Sequence, residues 1–352
     1  MKKNNRLKIK ALDFFCGAGG LTRGLIDAGI DVLAGIDNDF RLEETYQKNN
    51  SPSQFIREDI NKIDIISLRQ QLGITQKDLV LYAACAPCQP FSTLNKMEGN
   101  DKRKELLLVF AERVLKVAPP DFVIVENVPG LNNAFGKEVF EKFVEILESC
   151  GFKQENFYKG LLDAKDYGVP QFRKRFILLA NRHGKAVPPQ KSDKVKTIRD
   201  ALMQYPSLPD GGKVEEIPNH EVRGLIEKHK IIVEAIPKDG GSRKDVVDTS
   251  ILLECHKRHP NAHKDVFGRM AWDMPSPTLT CRCVDVYCGR FTHPEQNRSI
   301  SLREAAAIQS FPNDYVFYGS FKHIAKQIGN AVPVELARRI GCAVNESIKS
   351  SI

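Results

Sequence analysis

The 352-residue chain is marked first by what it lacks. No apolar run approaches the roughly 20 residues that a membrane-spanning helix needs. The basic start "MKKNNRLKIK" leads straight into a strand pattern, without the apolar stretch of a signal peptide, so a cytoplasmic location is expected. There is no internal repeat and no low-complexity tract. Nine cysteines, an odd number scattered from Cys16 to Cys342, do not make the dense paired framework of a small secreted domain. Reduced thiols are expected.

What is present suits a large globular enzyme. Hydrophobic residues make up 42% of the chain, enough for one large domain and a smaller one. A formal charge of +8 favours a polyanionic partner without identifying one. Through the first half, apolar strands alternate with amphipathic helices: "ALDFF", a helix from Leu21, "DVLAGID", a helix from Phe40, "QFIRED", "LVLYAA", a helix over residues 105–116, "FVIVEN", and a helix from Lys137. That rhythm predicts an α/β fold with a doubly wound, mostly parallel sheet covered on both faces. It breaks after Arg182, where a polar stretch rich in Pro, Gly and Lys reads as a smaller loop-rich domain.

In doubly wound sheets, ligands bind beyond the carboxyl ends of the strands. "DFFCGAGG" puts Gly17, Gly19 and Gly20 between the first strand and a helix, where glycine lets backbone approach a ligand. Asp37 ends the second strand, where a carboxylate can accept both ribose hydroxyls of an adenosine. Asp59 is assigned to the end of the third strand, as an acceptor for an adenine amino group or as a helix cap. The spacing is not the GxGxxG of a pyrophosphate site, so S-adenosylmethionine is favoured over NAD.

"LVLYAACAPCQPFS" ends a strand on two cysteines three apart. A zinc site would need two further ligands, and none lies near Cys85. Cys88, after the fourth strand, and Glu126, ending the fifth, would share one rim of the sheet. A thiol nucleophile beside a carboxylic acid suits addition to an electron-poor ring. Cys85 reads as a small buried residue. "QFRKRF" puts Gln171, Arg173 and Arg175 on alternate positions of a strand, facing one way, able to lock Glu126 and hold a phosphate.

Taken in order, "DFFCGAGG", "GIDND", "REDI", "APCQPFS", "ENVPG", "QFRKRF", "SLREAAAIQSFP" and "GNAVPVELA" resemble the cytosine-5 DNA methyltransferase family. The resemblance covers nearly everything outside residues 183–265. It implies that Cys88 attacks carbon 6 of a cytosine flipped out of duplex DNA while Glu126 contacts ring nitrogen 3, with Arg173 and Arg175 completing the catalytic set. Carbon 5 then takes the methyl group. It extends the cofactor set to Phe15, Leu21, Asn38, Ile60, Pro87 and Asn330, the last either closing the pocket or capping the final helix.

The resemblance also brings Gln89, Ser92 and Gln171 to the DNA side. Thr278 and Thr280 of "SPTLT" resemble phosphate-gripping threonines, against the alternative of a plain edge strand. In the loop-rich region, Ser242 and Arg243 of "KDGGSRKD" are the candidates for reading bases. The implied division is 1–182 for catalysis and cofactor, 183–300 for target recognition, and 301–352 returning to complete the catalytic domain. A zinc site among Cys255, His256, His259, His263, Cys281, Cys283 and Cys288 is conceivable but interrupted by Pro260, and no metal is expected.

The family setting implies a monomer acting on nucleoid DNA, with a cognate restriction endonuclease as partner. Three other readings compete. A tRNA methylase of the same fold would carry a much shorter insert. A non-catalytic DNA-binding relative would have lost Cys88. A dinucleotide oxidoreductase would leave Cys88, Glu126 and the arginines unexplained together.

Overall fold

The computed structural model describes residues 8–87, 105–132 and 136–349. Within these, the chain divides into two compact units. The first comprises residues 1–163, 174–191 and 334–352, and the second comprises residues 164–173 and 192–333. This division differs from the expected boundaries at 182 and 300, because residues 164–173 and 301–333 both group with the second unit.

The first unit is built on a seven-stranded sheet. Its strands are β1 (Ile9–Phe14), β2 (Asp31–Asp37), β3 (Gln54–Arg57), β4 (Leu79–Ala84), β5 (Phe122–Asn127), β6 (Tyr158–Asp163) and β7 (Lys174–Asn181). They lie in the order β3-β2-β1-β4-β5-β7-β6. The first five are parallel, and β7 runs against both of its neighbours. β4, and β5 as far as Val125, are apolar, and both strands are almost wholly buried, as strands covered on both faces must be. The order reverses between β1 and β4, so the loops after these strands diverge and open a crevice at their carboxyl ends.

Helices Gly20–Asp27 and Val334–Lys349 pack together in this unit. Gly24 makes that possible, since a Cβ there would come within 2.5 Å of the Val334 carbonyl and 2.6 Å of the Arg338 nitrogen. The segment expected to be helical over 105–116 is helical, with Leu106–Phe110 widening into a π-helical turn over Ala111–Leu115.

No strand of the sheet falls among the described residues of the second unit. Short helices and turns surround an apolar cluster that includes Ile232, Val233, Ile236, Val246, Phe267 and Val286. Fully buried arginines supply what a sheet ladder would otherwise provide. Arg269 donates to the carbonyls of Val233, Ile236, His293 and Gln296, and burial lowers its pKa to about 10. Arg298 forks onto both oxygens of Glu304 at 2.8 Å. Glu304 and Ser301 also close a capping box at the start of helix Leu302–Ile308.

Candidate active site

The glycine turn after β1 is held in an unusual backbone shape. Phe15, Gly17 and Gly19 all have positive φ, at 59°, 57° and 85°. For an aromatic residue this is strained, and such strain gathers at ligand sites. A Cβ on Gly17 would meet nothing within 4 Å, so the turn borders open space. Asp37 ends β2, and its carboxylate accepts the N–H groups of Gly17 at 3.1 Å and Asp39 at 3.0 Å. Burial raises its pKa, while those N–H groups oppose the shift.

Gly20 and Leu21 open the following helix and are buried, whereas Asn38 is exposed. Asp59 departs from expectation. β3 stops at Arg57, and the Asp59 carboxylate accepts the backbone and side-chain N–H groups of Asn61 at 2.9 and 2.8 Å, bonds that lower its pKa. It closes a turn, much as a cap would. Ile60 beside it is buried in the main core.

At the rim of β4 and β5, Glu126 is only 3% exposed. Arg175 Nε lies 3.0 Å from its Oε1, and the Cys85 thiol donates to its Oε2 at 2.8 Å. Asn127 donates to the Ala86 carbonyl at 3.1 Å and accepts the Val128 N–H at 2.9 Å, tying the loops that leave the two strands. Pro87 is half-buried. The expected nucleophile Cys88 and the expected DNA contacts Gln89 and Ser92 lie outside the described residues.

The "QFRKRF" segment does not form one strand. β7 begins at Lys174, because the backbone of residues 170–172 bonds to Ser276 instead, through Ser276 N to the Pro170 carbonyl and Phe172 N to the Ser276 carbonyl. Arg175 takes the expected place on Glu126. Arg173 instead spends its guanidinium on the carbonyls of Leu279, Gly329 and Ala331, at 2.9, 3.2 and 3.1 Å. Gln171, placed on the DNA side from sequence, is fully buried, bonded to Gln309 at 2.8 Å and accepting the Leu279 N–H at 3.0 Å.

Arg243 also differs from its expected exposure. It is 3% exposed and donates to the Ala262 carbonyl, inside a turn that Ser242 and Asp245 close as a capping box. A side chain so placed does not present its fork to a base edge. Thr278 is exposed and Thr280 half-buried, and neither lies in a strand. The Thr278 hydroxyl donates to the Phe172 carbonyl at 2.6 Å. Asn330 is the exposed last residue of helix Phe321–Asn330, four positions before the final helix begins, so it does not cap that helix. Among the described residues, no three His, Cys, Asp or Glu side chains gather where a metal could bind, and the Cys and His cluster of residues 255–288 is not drawn together.

Two features escaped the sequence reading. One is the Cys85 thiol on Glu126. Its signal was the strand register, since Ala84 pairs with Val125 and the next residues, Cys85 and Glu126, fall opposite each other. The other is a buried chain of hydroxyls behind the glycine turn. Thr22 donates to Asp13 at 2.7 Å, and the Tyr46 hydroxyl lies 3.0 Å from Thr22 and 2.8 Å from Ser53. Burial pushes the Asp13 carboxyl up to about 7.

The fold and this rim define an α/β methyltransferase. The structure is similar to that of an E. coli protein described as a prophage-encoded DNA modification methyltransferase, with a TM-score of 0.74 at 21% identity over 97% of this chain and 100% of the other. It also resembles the Dnmt2 methyltransferase of S. pombe, with a TM-score of 0.62 at 17% identity over 97% and 99%. The model of the C-5 cytosine-specific DNA methylase family matches residues 9–346, and the chain belongs to that family.

It is 37% identical to the type II methylase M.HgiDII of Herpetosiphon aurantiacus, over 96% of this chain and 95% of the relative. It is 30% identical to the type II methyltransferase M1.HphI of Haemophilus parahaemolyticus, over 96% and 87%. The chain is thus a DNA cytosine-5 methyltransferase, of a family that works through a cysteine adduct on a flipped-out cytosine. Membership implies a DNA substrate and a methyl donor.

Proposed function

We propose that the donor is S-adenosylmethionine and that Cys88, Glu126 and Arg175 carry the chemistry on cytosine. The observation that carries this reading is Glu126, buried at the end of β5 and held by Arg175, one strand away from the segment that leads to Cys88. Addition of the Cys88 thiolate to carbon 6 makes carbon 5 electron-rich. Glu126, as the carboxylic acid, gives a proton to ring nitrogen 3 and accepts from the amino group, which neutralises the negative charge that the addition places on the ring, and carbon 5 then takes the methyl group. Loss of the carbon 5 proton to a base and departure of Cys88 regenerate the ring.

The residues after β1 and β2 fit an adenosine cofactor. The open face of Gly17 admits a ligand against backbone, and the Asp37 carboxylate, already oriented by two N–H groups, can accept a ribose diol. Phe15, Gly19, Gly20, Leu21, Asn38, Ile60 and Pro87 would line the same pocket, Asn330 is carried as a cofactor residue on the family resemblance, and Asp59, whose Oδ1 accepts both Asn61 N–H groups, would offer adenine its Oδ2. When bound, S-adenosylmethionine supplies the methyl group as an electrophile.

Thr278 and Thr280 are read as phosphate contacts, Gln89, Ser92 and Ser242 as further DNA contacts, and the second unit as the reader of the target sequence. The names of the relatives support a restriction–modification setting; within that reading we place a cognate nuclease as partner and a monomeric enzyme working in the cytoplasm. Among the described residues, no helix is long and apolar enough to cross a membrane.

The test is a duplex carrying 5-fluorocytosine at the target. Fluorine cannot leave as a proton does, so a covalent adduct should accumulate in the presence of cofactor and map to Cys88. Cys88→Ser should abolish both adduct and methyl transfer. An adduct on another residue would overturn the assignment.

A further inference from the structure

We infer that Cys85 is a positioning residue for Glu126, its thiol hydrogen-bonded to Oε2 while Arg175 Nε lies against Oε1. The inference rests on the reading of Glu126 as the group that contacts the cytosine ring. The carboxylate has two oxygens and two side-chain donors on them: Arg175 Nε at 3.0 Å from Oε1 and Cys85 Sγ at 2.8 Å from Oε2. In the second bond the Cys85 thiol is the donor and Oε2 the acceptor.

The backbone fixes the thiol as firmly as the strand fixes Glu126. Cys85 N donates to the Phe14 carbonyl at 3.2 Å, which extends the β1–β4 ladder by one residue. The next residue, Ala86, is pinned from the other side by Asn127 at 3.1 Å. Cys85 therefore cannot drift from Glu126 without breaking contacts to both neighbouring strands. A glutamate side chain has three rotatable bonds, and a single arginine contact leaves the carboxylate free to swing about that contact. The second donor removes this freedom and sets the plane in which the carboxylate meets the base.

The role is separable from that of a nucleophile and from that of a small filler. A nucleophile would not survive replacement by serine, and a filler would be satisfied by alanine. Serine keeps a donor at nearly the same place, although a hydroxyl reaches less far than a thiol.

The experiment measures single-turnover methyl transfer and DNA affinity for Cys85→Ala, Cys85→Ser, Glu126→Gln and the double variant Cys85→Ala/Glu126→Gln, with thermal unfolding to confirm the fold. Cys85→Ala should slow transfer roughly tenfold with DNA affinity unchanged, as loss of one hydrogen bond to a charged group implies. Cys85→Ser should recover most of that rate. In the Glu126→Gln background, adding Cys85→Ala should cost little more, since the group it positions is already gone. A wild-type rate in Cys85→Ala overturns the inference. So does a full further tenfold loss in the double variant, or a serine variant as slow as the alanine one. A wild-type rate in Glu126→Gln would instead sink the reading of Glu126 itself.

Discussion

Replacing Arg173 by alanine separates a structural arginine from a catalytic one. Its guanidinium, 3% exposed, serves three carbonyls, those of Leu279, Gly329 and Ala331, at 2.9–3.2 Å. Each hydrogen bond from a charged donor contributes about 1.5–3 kcal/mol, but water admitted to the vacated space recovers part of that, so a loss of about 3–5 kcal/mol is expected. The second unit has about 150 residues, for which each kcal/mol moves the melting temperature by about 2–4 °C. The unit should melt roughly 6–20 °C lower.

The assay is built into the chain. Trp272 is its only tryptophan, is 8% exposed, and lies in that unit, so intrinsic fluorescence follows the unit's unfolding. Arg173→Lys, a point charge able to reach fewer carbonyls, should fall between the two. If Arg173→Ala left the Trp272 transition in place while abolishing methylation, the guanidinium would be acting on the reaction and the structural assignment would be wrong.

Glu126→Gln should cut turnover by about 100-fold or more, with a smaller change in DNA affinity, measured by single-turnover assay and DNA titration. Asp13→Asn should stabilise the protein, and more so at pH 8 than at pH 5. Folding raises the Asp13 pKa from 3.8 to about 7, so the wild type is fully stabilised below pH 4 and loses that contribution as pH rises to 7. The variant escapes that loss, worth a few kcal/mol, and urea unfolding at the two pH values reads the difference. Gly24→Ala should destabilise the first unit by about 1–3 kcal/mol, because its Cβ meets backbone atoms of helix Val334–Lys349 that cannot yield, and far-ultraviolet circular dichroism in urea would show an unshifted midpoint if the packing were looser.

The sheet was legible because its strands are apolar throughout and its helices amphipathic, signals that survive without neighbours. The rim acids were legible for the same reason: Asp37 and Glu126 stand at the ends of apolar runs. Arg173, Gln171 and Arg243 were misplaced for one shared reason. One-sided strand residues such as Gln171 and Arg173, and a loop residue such as Arg243, all read as available to a ligand, yet a unit with little regular secondary structure must satisfy its carbonyls from side chains. Arginine, with five donors, does this best. Nothing in local sequence distinguishes such an arginine from one that faces DNA.

The packing of helix Gly20–Asp27 against Val334–Lys349 has a consequence for how the enzyme is made. The first helix is eight residues long, too short to persist alone in water. Its partner is translated some 300 residues later, roughly 15–60 s at ordinary elongation rates. During that interval helix Gly20–Asp27 lacks its packing partner, while the second unit, nearly all of it contiguous from residue 192 to 333, has already been translated. A nascent chain therefore gains the part read here as the sequence reader before it gains a finished cofactor turn. Methylation competence then waits for helix Val334–Lys349, so a chain interrupted before it does not mark DNA.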